Sequence, residues 1–301
     1  MSLIHCFSRI VVLVAFTACL RAIAAPPDEP GPAPKVMTAR IKIAESSLIV
    51  VPVIINGSGP YDFMLDTGAS LTILDPKLAE ELALAGMGEK KIVGVQHTET
   101  VSTVHVDSIA VVGAVSVVED VIVSDRVRSL PVKVRGVLGE DFLQNFDVLI
   151  DYRHQVLQLE PGLGPLAQTL LGEHLPLQLT GMLRGKLTPR RLIVSGHMTE
   201  FGDNPTSLVL DSGTNYLVLF RESLGPASSD RETSVGAAAT RTVRLLYLGS
   251  NHFPNVTAMA LSRHGEMDSD GLVPTSLFQS IFISHQGRFA ILNPSSPKAS
   301  R

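Results

Sequence analysis

Two short segments of this 301-residue chain end an apolar run in an aspartate, a hydroxyl residue and a glycine: Leu65-Asp66-Thr67-Gly68-Ala69-Ser70 and Leu210-Asp211-Ser212-Gly213-Thr214-Asn215. They are its only Asp-(Ser/Thr)-Gly triplets. Each has an apolar or aromatic-rich lead-in, Tyr61 to Leu65 and Ser207 to Leu210, and each is followed by another apolar run, Leu71 to Leu74 and Leu217 to Phe220. A repeated strand–Asp–turn–strand unit can bring two carboxylates together across a twofold axis. Two carboxylates that close resist double ionisation, and such a pair can activate water.

Taken singly, each aspartate reads as an Asx-turn or cap residue of an ordinary hairpin. The surrounding chain argues for more, because it repeats its own order. The stretch from Leu48 through Asp66 to Leu74 resembles the stretch from Leu192 through Asp211 to Leu219. Ile92-Val93-Gly94 has a counterpart in Ser234-Val235-Gly236, and Gly136-Val137-Leu138-Gly139 one in Gly271-Leu272-Val273-Pro274. From the aspartate to the Val-Gly landmark the gaps are 28 and 25 residues, and to the third landmark 70 and 60. Landmarks recurring in the same order at similar gaps argue for an internal duplication.

The elements that must position these triplets are mostly strands. Met37 to Ala44 alternates, and Leu48 to Ile55 is apolar and β-branched. Val101 to Val112 and Val115 to Val123 follow, with Gly113 as the turn between them. Helices are few and short. Pro76 to Ala85 fits one, with Asp75 as N-cap and Pro76 at the first position. Glu140 to Phe146 fits another. Residues 161–173, rich in turn residues, read as a connector between an N-terminal lobe at 36–160 and a C-terminal lobe at 174–295.

The ends of the chain and its composition narrow the chemistry. His5 and Arg9 precede an apolar run from Ile10 to Leu20, too short for a comfortable membrane span, and Ala22-Ile23-Ala24 suits signal-peptidase cleavage. Residues 1–25 are therefore expected to be a signal peptide of an exported protein, periplasmic or secreted, with an uncleaved membrane anchor as the alternative. Residues 26–35 hold five prolines and read as a stiff spacer. Both cysteines, Cys6 and Cys19, lie in the signal segment, so the mature chain has no disulfide, thiolate nucleophile or cysteine-based zinc site. A net charge of −4 without basic runs speaks against nucleic acid. Eight histidines remain (97, 105, 154, 174, 197, 252, 264 and 285), scattered without metal-ligand spacing, and each reads as a surface residue. No metal and no cofactor is expected. No Gly-x-Ser-x-Gly elbow or phosphate loop occurs.

On these motifs, residues 36 to 293 resemble the pepsin/retropepsin-like aspartic proteases. The resemblance implies an all-β protein of two similar β-barrel-like lobes related by pseudo-twofold symmetry. It implies an aspartic endopeptidase in which Asp66 and Asp211 share one proton and hold a water between them. Thr67 and Ser212 would bond across the lobe interface, and Gly68, Gly213 and Thr214 would complete the two turns. Leu138 and Gly139 belong to the hydrophobic segment that crosses behind the first turn in that family. Its second-lobe counterpart carries Pro274 where the family usually has glycine. Gln96, His97 and Thr98 fall where the family's first-lobe flap lies, as contacts for an extended peptide. Thr214 has a hydroxyl that could bond the Asp211 carboxylate and Ala69 has none for Asp66, so the dyad is expected to be less acidic than one with two hydroxyls. The expected partner is a peptide or unfolded protein, and the chain is expected to act as a monomer, since both aspartates are in it. The rival reading is a catalytically weak or inactive peptide-binding module on the same scaffold, favoured by Pro274 and Asn215.

Overall fold

A computed structural model describes residues 35–93, 98–179, 182–183, 186–187, 191–221, 233–235, 238–262 and 269–295. The expected signal segment and all of the proline-rich stretch 26–35 except Lys35 lie outside the described residues, as do Gln96 and His97. Among the described residues no helix is long and apolar enough to cross a membrane.

The fold is all-β, built on two eight-stranded sheets with the same strand order. In the first lobe the order is Lys42–Ala44, Leu48–Ile55, Ser58–Leu65, Gly136–Leu138, Ile73–Leu74, Ala114–Val123, Thr98–Val111, Gly86–Val93. In the second it is Gln178–Leu179, Leu192–Met198, Pro205–Asp211, Gly271–Pro274, Leu217–Phe220, Asn251–Leu261, Ala238–Leu248, Thr233–Val235. Each sheet folds back on itself through one extra pairing. In the first lobe this is Leu48–Ile55 against Thr98–Val111, and in the second Leu192–Met198 against Ala238–Leu248. The repeated order is the internal duplication seen as topology.

Local sequence explains the strands. Leu48–Ile55 is β-branched and almost wholly buried, as suits a central strand. It turns into Ser58–Leu65 through Asn56-Gly57, both at positive φ (47° and 77°), the conformation an Asn-Gly hairpin turn requires. The helix after the first triplet spans Pro76–Glu81, and the Asp75 carboxylate accepts the Lys77 N–H at 2.8 Å. It is shorter than the sequence suggested, because Ala83 turns to φ 48°. The second helix stops at Leu143 rather than reaching Phe146, which is recruited as the first residue of a strand pairing with Val156–Pro161. The run from Met37 to Ala44 divides into two strands, Met37–Arg40 and Lys42–Ala44, that join different sheets. A short helix, Pro165–Thr169, occupies the middle of the expected connector.

A third sheet of six strands joins the lobes: Met37–Arg40, Val156–Pro161, Phe146–Asp151, Ser280–Ser284, Phe289–Leu292, Leu175–Pro176. Its centre is antiparallel, with Val148 opposite Ile283 and Leu149 opposite Phe282. Leu166 of the short helix covers Phe282 and Ile291 on one face. On the other face a single apolar cluster runs from Ile49, Leu65 and Phe142 through Val148 and Ile283 to Leu210 and Val273. Burying each such side chain contributes about 1.5–3 kcal/mol, so the lobes share one core as well as one sheet.

Candidate active site

Asp66 follows the strand Ser58–Leu65 and Asp211 ends the strand Pro205–Asp211, at equivalent places in the two lobes. Behind each aspartate a second strand runs parallel to the first. Leu65 pairs with Leu138 and the Asp66 N–H donates to the Leu138 carbonyl at 3.0 Å. Leu210 pairs with Val273, and Asp211 with Pro274. Pro274 therefore stands where Gly139 stands in the first lobe.

The two turns are locked together by four bonds. The Thr67 hydroxyl donates to the Leu210 carbonyl (2.8 Å) and accepts the Ser212 N–H (3.0 Å). In return the Ser212 hydroxyl donates to the Leu65 carbonyl (2.9 Å) and accepts the Thr67 N–H (3.0 Å). Both side chains are buried, where each such bond is hard to replace with water. The two Asp side chains meet at the centre of this lock and hydrogen-bond each other.

The glycines act across the axis. A Cβ on Gly68 would lie 2.5 Å from Cγ of Asp211, and a Cβ on Gly213 would strike Cγ and both oxygens of Asp66. Each glycine thus leaves room for the opposite lobe's carboxylate.

Electrostatics distinguish the two acids. Asp66 accepts the N–H groups of Gly68 (2.9 Å) and Ala69 (3.0 Å), whereas Asp211 accepts that of Gly213 (2.7 Å). Burial pushes both carboxyls above their ordinary value, and Asp211 furthest, because the Asp66 charge adds to the burial there. Hydrogen bonds to a carboxylate favour its charged form. Protonation is thus favoured more at Asp211 than at Asp66, where two N–H bonds favour the charged form. The sequence offered the Thr214 hydroxyl as a partner for the Asp211 carboxylate. That hydroxyl instead donates to the Tyr216 carbonyl (3.2 Å) and accepts the Tyr216 N–H (3.3 Å). Asn215 ties the second turn to the first lobe, accepting from the Ser47 hydroxyl and donating to the Glu45 carbonyl at 3.1 Å.

Pro274 leaves the second half of the site in register. Its φ of −66° is natural for proline. In the first lobe the Gly139 N–H donates to the Thr72 hydroxyl at 3.2 Å, while that hydroxyl donates to Asp141 at 2.6 Å. Leu217 holds the position equivalent to Thr72, on the same row of the sheet. Donor and acceptor are thus absent together, so no buried polar group is left stranded.

Residues 51–142 match the family model described as aspartyl protease. This match supports a pepsin/retropepsin-like aspartic protease relationship for the first lobe. The matched stretch runs from the strand Leu48–Ile55 through Asp66 and Gly139 into the helix Glu140–Leu143. No curated protein matches the chain. The hairpin of Gly86–Val93 and Thr98–Val111 pairs Val93 with Thr98, so Thr98 opens its returning strand.

Two residues that the sequence did not single out stand close behind the dyad. Glu140, next to Gly139, is buried, and its Oε2 meets Nε2 of His285 at 2.9 Å. His285 is buried too, contrary to the surface position expected of every histidine. Its only sequence cue is its place after the apolar run Ser280–Ser284. On the other side the Tyr152 hydroxyl contacts that of Thr275 at 2.7 Å, and burial holds the phenol well above its ordinary value, hence neutral.

Proposed function

We propose that the chain is an aspartic endopeptidase that hydrolyses peptide bonds with water activated between Asp66 and Asp211. The observation that carries this reading is the facing pair of hydrogen-bonded carboxylates, each seated over the other lobe's glycine. Asp66, held charged by two backbone N–H groups, takes a proton from the water. Asp211, holding the shared proton, donates to the carbonyl oxygen as the tetrahedral diol forms. The pair titrates as a unit, so the rate profile reports the dyad rather than either acid. On this reading the substrate is a peptide or unfolded protein bound extended beneath the first-lobe hairpin, with Gln96, His97 and Thr98 as backbone contacts. The protein acts as a monomer outside the cytoplasm once residues 1–25 are removed.

The test is cleavage of a peptide library by wild type, Asp66→Ala and Asp211→Ala across pH. Wild type is expected to cleave and both variants to lose activity by several orders of magnitude. Full activity in either variant, or no cleavage by wild type at any pH, would sink the shared-dyad mechanism.

A further inference from the structure

The polar groups just behind the dyad differ between its two sides. On the Asp211 side the group following the crossing strand is Thr275, bonded to the neutral Tyr152 hydroxyl. On the Asp66 side it is Glu140, whose N–H also donates to the Ala69 carbonyl at 2.8 Å, within the turn that holds Asp66. A buried carboxylate there pushes Asp66 toward protonation, the wrong direction for the member that must take a proton from water. His285, delivered by the second lobe, meets that carboxylate with both side chains nearly inaccessible, at 6% and 1% exposure.

The ring's other nitrogen fixes the proton count. Nδ1 lies 2.7 Å from the Phe146 carbonyl oxygen, which can only accept, so Nδ1 carries a hydrogen. One further proton must lie between Nε2 and Oε2, since two lone pairs would otherwise face each other at 2.9 Å. The surroundings favour placing that proton on the ring. Glu140 faces His285 from the helix Glu140–Leu143, and Asp147 acts on it from the strand Phe146–Asp151. Asp147 in turn pairs across the sheet with buried Glu160. Among the described residues one oxygen of each of these three acids is buried without a hydrogen-bond partner, so three acids share this interior with one imidazole. Burial works against a charged ring, yet the Glu140 carboxylate, the Phe146 carbonyl and Asp147 together hold His285 above its ordinary value.

We infer that the Glu140–His285 pair positions the dyad: it anchors the Asp66 turn to the second lobe and, by holding one proton, cancels the charge behind Asp66 so that Asp66 remains the base. This rests on the aspartic-dyad reading. The pair's contribution is full below pH 6.5, the ordinary histidine value, and is lost as pH rises through the higher value His285 has in the fold. Above that point the uncompensated carboxylate pushes Asp66 toward the protonated form.

The experiment compares wild type, Glu140→Gln, His285→Gln and the double variant. Its readouts are the pH profile of kcat/KM on one cleaved peptide, the carbon-13 carboxyl titration of Asp66, and nitrogen-15 spectra of the His285 ring. Wild type is expected to show both ring nitrogens protonated at pH 6.5. His285→Gln should raise the Asp66 titration and the lower limb of the rate profile by roughly half a pH unit or more. The double variant should return both toward wild type. An Asp66 titration unmoved in His285→Gln, or a neutral His285 ring in wild type below pH 6, would reduce the pair to a strut and overturn the inference. The ring spectrum needs only wild-type protein, so it decides even where a variant does not fold. If wild type cuts no peptide, the endopeptidase reading fails by itself, and the carboxyl and ring titrations still judge the pair.

Discussion

Replacing Thr67 by valine changes one hydroxyl to a methyl at nearly constant shape, which makes it the cleanest probe of how the lobes hold the dyad. Two bonds disappear: donation to the Leu210 carbonyl at 2.8 Å and acceptance of the Ser212 N–H at 3.0 Å. Each contributes about 1 kcal/mol net, and leaving the buried Ser212 N–H without this acceptor costs about 1–3 kcal/mol more. The sum is about 3–5 kcal/mol, which for a chain of this size lowers the melting temperature by roughly 6–10 °C. Activity should fall further than stability alone implies, because a displacement of about 1 Å in a reacting group costs about a hundredfold in rate. Thr67→Ser keeps the hydroxyl and is expected to stay within about 1 kcal/mol, the size of one lost methyl. Thermal unfolding and kcat/KM on a peptide substrate, measured on both variants, decide the matter. A valine variant that loses under 1 kcal/mol and keeps full kcat/KM would show that the four-bond lock is not what registers the two turns.

Three further outcomes follow from the site. Asp211 has a raised carboxyl value, so its contribution to stability is full below the ordinary 3.8 and is lost as pH rises through the folded value. Asp211→Asn removes that loss, so it should melt above wild type at pH 7 with the difference shrinking toward pH 4; a difference independent of pH contradicts the assignment. Gly68→Ala puts a Cβ 2.5 Å from Cγ of Asp211, and should reduce kcat/KM by about a hundredfold or more while leaving the first-lobe hairpins folded by circular dichroism. Pro274→Gly should keep activity within about threefold and cost about 0.4–1 kcal/mol through a more flexible unfolded chain. A large gain in activity would mean that the proline distorts the second half of the site.

Much of the architecture is written locally. The β-branched run Leu48–Ile55, the Asn56-Gly57 turn and the Asp75 cap each depend on neighbouring residues, so a reader of the sequence can find them. The order of landmarks around Asp66 and Asp211 survives as the matching strand order of two sheets. The six-stranded sheet is not legible in this way, because Val148 meets Ile283 from far along the chain and neither strand's pattern names its partner. The same distance hides His285, whose neighbours in sequence say nothing of Glu140. Thr214 misled for a different reason. A hydroxyl beside an aspartate can bond it, but the backbone of Tyr216 offered a nearer donor and acceptor. The significance of Pro274 became readable only alongside Leu217, since a missing donor is harmless where the acceptor is also missing.

The shared sheet has a consequence for when the two aspartates come together. During synthesis Asp66 emerges early, together with the strands and crossing segment of its own lobe. Yet Asp211 gains its backing strand only with Gly271–Pro274, and the central sheet closes only with Ser280–Ser284 and Phe289–Leu292. His285 arrives between those last two strands. Contacts this distant in sequence form late in folding, so a nascent or prematurely terminated chain carries half a dyad and no lobe to complete it. The two aspartates are therefore brought together by the closing of the shared sheet, not by the folding of either lobe alone.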